Sequence, residues 1–400
     1  MQFRSRHWAP ALALAMAAPS LPAAAQSAPS GNAFNPKISL ILNGLYAHYS
    51  SDAEALVPGV LLGPETGFAP EGLSLGETEL AIEANVDDKF HGWAAVALSP
   101  EGEIGVEEAY INTLALPAGL ALKFGRFFSD IGYQNHQHAH AWEFADAPLI
   151  YRALLANQLG DDGVQLRWLA PTDLFVELGT ELYRGDGFPG GGETRKGVKG
   201  VTGFAHVGGD AGESGSWRVG LWHFRSDADD RRTGEPVETG FTGPSRLSGV
   251  DLVYKWSPGG NPALTNAVLQ AEYMVRSEHG TVVSDPDGAA DASDYEGRQA
   301  GFYVQGVYQF MPRWRTGLRY DRLSASNTVA NPVAGTSLET LADNGDTPQR
   351  WSAMVDFSNS EFSRFRLQFN RDESRPGDEK DNQLLVQYIF SLGSHPAHQF

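Results

Sequence analysis

The run His136-Gln137-His138-Ala139-His140 places three imidazoles at alternate positions, with Glu143 and Asp146 close behind. In an extended chain alternate residues share a face, so the three rings are expected to project together. Neutral imidazoles beside a carboxylate make a ligand set for zinc, nickel or copper, so His136, His138 and His140 are candidate ligands for a divalent metal. No other cofactor is implied. The spacing lacks the fixed framework of dedicated zinc motifs, and the competing reading is a polar loop whose histidines hydrogen-bond their surroundings. Glu79 and Glu83, with Glu77, share one face of an alternating stretch, and Glu177 and Glu181 share one face of another. Arg315 and Arg319 form a basic face of their own, as do Arg364 and Arg366, with Arg371 assigned to the same wall. An acidic wall opposite a basic one sets up a transverse field that orients polar solutes. The alternative is that these charges pair within the wall. Arg152 either adds a positive charge beside Asp130 and the histidines or pins its segment to an acid. No G-x-S-x-G, H-E-x-x-H or phosphate-cradling glycine loop is legible, so the chain is read as non-enzymatic.

The histidines sit in the stretch 129–162, about 30 residues without strand alternation, a length that in a compact chain usually signals function. Around it the sequence alternates apolar and polar residues at period two. Sixteen strands are expected: Ile38 to Ser50, Leu75 to Val86, Phe90 to Ser99, Ile104 to Leu114, Leu120 to Phe128, Gly163 to Ala170, Leu174 to Arg184 and Gly200 to Val207, then Trp217 to Arg225, Val250 to Trp256, Ala263 to Arg276, Arg298 to Phe310, Trp314 to Leu323, Arg350 to Phe357, Ser363 to Arg371 and Asn382 to Leu392. Connections after even-numbered strands are short, such as Asp87-Asp88 and Met311-Pro312. Most of those after odd-numbered strands are long, including Asp227 to Ser248, Ser277 to Gly297 and Ala325 to Gln349. That asymmetry, with an even strand count, predicts an all-β transmembrane antiparallel β-barrel whose 129–162 loop folds into the lumen as a constriction. Trp93, Trp168, Trp217, Trp256, Trp314 and Trp351, near strand ends, are assigned to interfacial girdles facing outer-membrane lipid.

Arg4 and Arg6, an apolar run to Pro22 and Ala23-Ala24-Ala25 predict a signal peptide over 1–25. A short periplasmic lead over 26–36 and one barrel domain over 37–400 follow. The chain has no cysteine, so it leaves the cytoplasm without a disulfide framework. Of the 30 Lys and Arg, the two signal-peptide arginines are lost, leaving 28 against 49 Asp and Glu, a mature net charge of −21. Nucleic-acid binding is thereby disfavoured.

Four segments carry a resemblance: VEEAYIN (Val106 to Asn112), FGRFF (Phe124 to Phe128), IYRAL (Ile150 to Leu154) and DDGVQL (Asp161 to Leu166). Over about Val106 to Glu177 the chain resembles the phosphate-selective porin O/P family. The resemblance implies a homotrimeric sixteen-stranded porin whose third external loop enters the lumen. It also implies a C-terminal aromatic, here Phe400, that addresses the barrel-assembly machinery. Members that select phosphate line the pore with arginines and lysines, where this loop carries histidines and acids. The expected function is a passive channel for small hydrophilic solutes or ions in the outer membrane of a Gram-negative cell, reached by export through the periplasm. A metal-linked channel or receptor and a non-transporting surface barrel are the alternatives.

Overall fold

A strand that separates lipid from a polar interior must change chemistry at every residue, and the described strands do so where they face lipid. In the computed structural model, Tyr303, Gln305, Val307 and Gln309 are buried while Val304, Tyr308 and Phe310 between them are exposed. The structure describes residues 36–52, 56–99, 102–192, 197–233, 238–330, 332–333, 336–342, 345–377 and 379–393. The expected signal peptide, almost all of the lead, and Phe400 lie outside the described residues.

Seventeen strand segments form one closed antiparallel sheet. They are β1 (Lys37–Tyr49), β2 (Gly72–Leu75), β3 (Thr78–Asn85), β4 (Phe90–Leu98), β5 (Ile104–Thr113), β6 (Leu120–Phe128), β7 (Gly160–Leu169), β8 (Phe175–Tyr183) and β9 (Gly200–Asp210). There follow β10 (Gly215–Thr233), β11 (Thr239–Trp256), β12 (Asn266–Ser284), β13 (Asp291–Met311), β14 (Trp314–Val329), β15 (Gln349–Ser360), β16 (Ser363–Glu373) and β17 (Asp381–Gly393). β2 and β3 both pair with β1, over Gly44 to Ala47 and Lys37 to Ile41 respectively, so they share one wall position and the barrel has sixteen strands. β1 also pairs with β17, from Ser39↔Gly393 to Tyr49↔Gln383, which closes the ring. The outer face is an apolar belt that includes Leu80, Ile82, Val164, Leu166, Leu178, Leu182, Phe365, Leu367 and Phe369. No described helix is long and apolar enough to cross a membrane, and the crossing is made by strands.

All sixteen expected strands are present, but three details differ. First, the long connections expected over 227–248 and 277–297 are largely strand, whereas 325–349 is strand only to Val329 and from Gln349 onward. β10 and β12 run 19 residues and β13 runs 21, against the roughly 9–11 that cross a bilayer. Their outward residues turn from apolar to charged toward the long-loop end, as in Arg298, Glu296 and Asp294 beyond Phe302. The pairing therefore continues into water, where no apolar stripe marks it. Second, Trp93 faces the lumen: it pairs with Glu83 and its ring lies 6.1 Å from that of His138. Third, Arg371 shares the outward parity of Phe365, Leu367 and Phe369, and it bonds Glu373 and Asn382.

Between β6 and β7 the chain crosses the interior. It contains a 3-10 turn at Ala139–Ala141 and a helix that the strand-based reading did not anticipate, α1 (Leu149–Leu155). Pro148 sits at the helix N-cap, Ala156 ends it in the left-handed region, and all seven helical residues are buried. Ile150, Leu154 and Leu155 pack with the inward-facing Phe204, Trp222, Phe224, Met274, Tyr303 and Leu323 in one apolar cluster. A second cluster lies nearer the long-loop end, where Leu338 and Leu341 of α2 (Ser337–Leu341) meet Phe241, Val282 and Tyr295.

Candidate functional site

The site is built where the interior segment touches the wall. On β5 the register slips: Ala95 pairs with Glu108 and Val96 with Val106, leaving Glu107 as the extra residue of a β-bulge. A bulge re-aims side chains, and here Glu107 and Glu108, neighbours in sequence, both reach His138. His138 Nδ1 lies 2.8 Å from Glu79 Oε2 and 3.2 Å from Glu107 Oε2, and its Nε2 lies 3.0 Å from Glu108 Oε2. The His140 Nδ1 atom is 3.4 Å from the same Glu79 oxygen, and the two imidazoles stack at 5.8 Å. Burial alone would depress the His138 pKa, but the hydrogen bonds to Glu107, Glu108 and Glu79 outweigh it and hold the ring charged well above its ordinary range.

His136 does not join them. The segment turns at 132–136 and again at Ala139–Ala141, so alternate residues do not share a face, and the expected triple-histidine cluster is corrected to a pair. His136 packs edge-on to Tyr133, 6.0 Å away. Its pKa is pushed down to about 4, by burial first, with the nearby Arg218 and Lys123 adding to the effect against Asp130. Asp130 accepts from Gln165 at 2.9 Å and faces Arg167 at 3.8 Å. Burial would raise the Asp130 pKa, but Lys123 and Arg167 hold it well below the usual carboxylate range. Glu181 accepts from Ser129, from the Asp130 amide and from Gln165, while Glu177 pairs with His206 at 3.2 Å. Glu83 pairs with Lys37 at 2.7 Å.

On the other flank the arginines are paired, so the expected unpaired basic wall is replaced by an ion-pair network. Arg319 and Arg350 reach Asp146 at 2.6 and 3.0 Å, and Arg319 also meets Asp321 at 3.0 Å. Gln368 and Asn370 donate to the same Asp146 carboxylate at 2.8 and 3.0 Å. Burial opposes ionisation of Asp146, yet Arg350 and Arg319 hold its pKa well below the usual range. Arg315 spans Glu143 at 2.8 Å and Asp356 at 2.7 Å. Arg366 donates to the Trp142 carbonyl and Arg364 to the His140 carbonyl. Arg152 binds the Thr66 carbonyl at 2.6 Å and lies 4.6 Å over the Phe68 ring, so it pins the first long connection through a carbonyl and a ring.

Glu272 on β12 fixes the segment's entry. It accepts from the Tyr133 and Gln134 amides and from the hydroxyls of Tyr151 and Tyr303. Gly132 (φ +65) lies so close that a Cβ there would sit 2.3 Å from Glu272 Oε2 and 2.4 Å from the Tyr151 hydroxyl. Below the segment a cavity of about 1640 Å³ is lined by Glu79, Glu108, His136, His138, His140 and Arg364, and by residues of the short turns such as Glu213 and Arg313. The sequence reading missed Glu107, Glu108, Glu272, Asp321, Asp356 and Arg350. The first two left a signal, because a pair of adjacent glutamates interrupts strict alternation at VEEAY. The other four are spread over β12, β14 and β15, with nothing in the sequence to name their partners.

No family model matches the chain. The assignment to the phosphate-selective porin O/P family accordingly stays a resemblance. Among solved structures, OmpT of Vibrio cholerae in its trimer form aligns with a TM-score of 0.54 at 11% identity, covering 90% of this chain and 100% of that one. The outer membrane channel DcaP of Acinetobacter baumannii aligns at 0.53 and 15% identity, covering 90% and 96%. An anion-selective porin from Comamonas acidovorans aligns at 0.53 and 10% identity, covering 90% and 99%. An uncharacterized protein of Aquifex aeolicus strain VF5 is 30% identical over 403 residues, covering 93% of this chain and 81% of that protein. This chain belongs to the family of that Aquifex aeolicus protein, and its fold is the sixteen-strand antiparallel barrel of outer-membrane porins.

Proposed function

We propose that this protein is an outer-membrane porin, a passive channel for small hydrophilic solutes or ions, exported with a cleaved signal peptide and acting without catalysis. The observation that carries this reading is the charge-lined cavity of about 1640 Å³ that lies between the barrel wall and the segment 129–159 and opens toward the short turns. Apolar packing of α1 against β9 to β14 fills part of the lumen, so the expected conductance is small. With Arg315, Arg319 and Arg350 each held by carboxylates and Glu83 held by Lys37, Glu79 and Glu108, which no described lysine or arginine pairs, set the sign of the cavity, and cations are favoured over anions. A homotrimer is the assembly we infer, by likeness to the trimer form of OmpT. We assign Phe400 to recognition by the barrel-assembly machinery.

Single-channel recording in a planar bilayer, with reversal potential in a salt gradient, tests this. The expected result is small, stable steps with a reversal potential of cationic sign. A folded, inserted barrel that passes no current overturns the porin reading in favour of a receptor or surface barrel.

A further inference from the structure

We propose that His138, His140, Glu79 and Glu107 form a divalent transition-metal site, of the kind that takes Zn²⁺, on the wall of the cavity. The site is a property of the folded barrel and does not depend on whether the channel conducts.

Three independent features point to it. The first is spacing. A tetrahedral zinc site with bonds of about 2.0–2.1 Å places its ligand atoms about 3.3–3.4 Å apart. Here His138 Nδ1 is 2.8 Å from Glu79 and 3.2 Å from Glu107, and His140 Nδ1 is 3.4 Å from Glu79. Glu79, Glu107 and His138 each offer a ligand atom within 4.8 Å of the others. The second is orientation. Metal-bound histidines commonly donate their other ring N–H to a carboxylate, which fixes the tautomer and aims the free nitrogen at the ion. Glu108 takes that part here, with Oε2 3.0 Å from His138 Nε2 and Oε1 held by the Phe128 amide. The bulge at Glu107 is what lets one carboxylate ligate while its neighbour orients. The third is charge. Among the described residues no lysine or arginine makes an ion pair with Glu79, Glu107 or Glu108; their ion pairs are to His138 and His140. Three carboxylates thus face only two imidazoles, an excess of negative charge in one buried cluster that a divalent ion would offset. On binding, the proton on His138 Nδ1 leaves to the cavity water, Nε2–H stays on Glu108, and no redox change occurs.

The test uses the full-length folded barrel in detergent, stripped with a chelator and titrated with Co²⁺ while visible d–d absorption is followed. The expected result is one equivalent of Co²⁺ with the intense bands of a tetrahedral centre, displaced by Zn²⁺. His140→Gln and Glu107→Gln abolish those bands, Glu108→Gln weakens binding by about 10–100-fold, and His136→Gln retains it. Folding of each variant is checked by its heat-dependent shift on a denaturing gel. Should one variant misfold, the remaining ligand variants carry the comparison. Wild-type barrel without tetrahedral Co²⁺ absorption, or ligand variants that bind as wild type does, would overturn the proposal. Bilayer conductance of the same preparation is recorded separately, so loss of the metal site and loss of the porin reading are told apart.

Discussion

The two flanks of the segment 129–159 meet the barrel with opposite charge chemistry. On the Asp146 flank, guanidinium groups from β14 and β15 answer the carboxylates, with Gln368 and Asn370 from β16 filling the remaining lone pairs. On the His138 flank, glutamates from β3 and β5 surround imidazoles, and among the described residues no arginine forms an ion pair with those glutamates. Fully answered buried charge fixes geometry, because removing one member strands the others. Charge left in excess invites a mobile cation. The same loop is thus fastened on one side and chemically open on the other.

Breaking the fastened side has the largest expected effect. Asp146→Ala leaves Arg319 and Arg350 without their shared partner and costs about 3–5 kcal/mol. Thermal melting of the folded barrel should fall accordingly, and the open channel should become noisier; an unchanged melt would mean that the loop is held elsewhere. Next comes Gly132→Ala, where the added methyl meets Glu272 and Tyr151 at a positive φ, for about 1–3 kcal/mol. It is read by the same melt and by greater proteolysis within 129–159. Acid should act on the Asp146 flank as well. The folded-state pKa of Asp146 is depressed, so its stabilisation is present above the ordinary carboxylate pKa of about 3.8 and fades as pH falls through the folded value. The melting midpoint should decline below about pH 4, and Asp146→Asn should flatten that decline. The smallest effect belongs to the lipid-side face: Arg371→Ala, which loses a half-exposed pair with Glu373 and an exposed hydrogen bond to Asn382, should shift stability by about 0.5 kcal/mol or less. A large loss there would contradict its placement outside the lumen.

The strands were legible because lipid on one face and polar lumen on the other enforce period two, and each expected strand overlaps an observed one. Legibility failed where that solvent contrast ends. Beyond the bilayer the outward faces of β10 to β14 are largely polar or small, so the lipid-facing stripe that marks a strand vanishes while the hydrogen bonds and an inner cluster with Phe241, Val282 and Tyr295 continue. Inside the lumen, LIYRALL is seven residues long and bounded by Pro148, too short a helix to show a 3.6-residue repeat. His136, His138 and His140 were found by type, but which two converge depended on a turn at Ala139–Ala141 that composition does not announce. Arginine and carboxylate positions were also visible, whereas their pairing runs between residues as distant as Asp146 and Arg350, which only closure of the barrel brings together.

The extra residue at Glu107 makes the cluster separable from the vessel that holds it. Deleting that single codon would restore an unbroken ladder between β4 and β5, with Val106 still outward and Glu108 still inward, and would leave the strand count untouched. The proposed ligand set would thereby lose one carboxylate to a single in-frame deletion while every other strand keeps its partners.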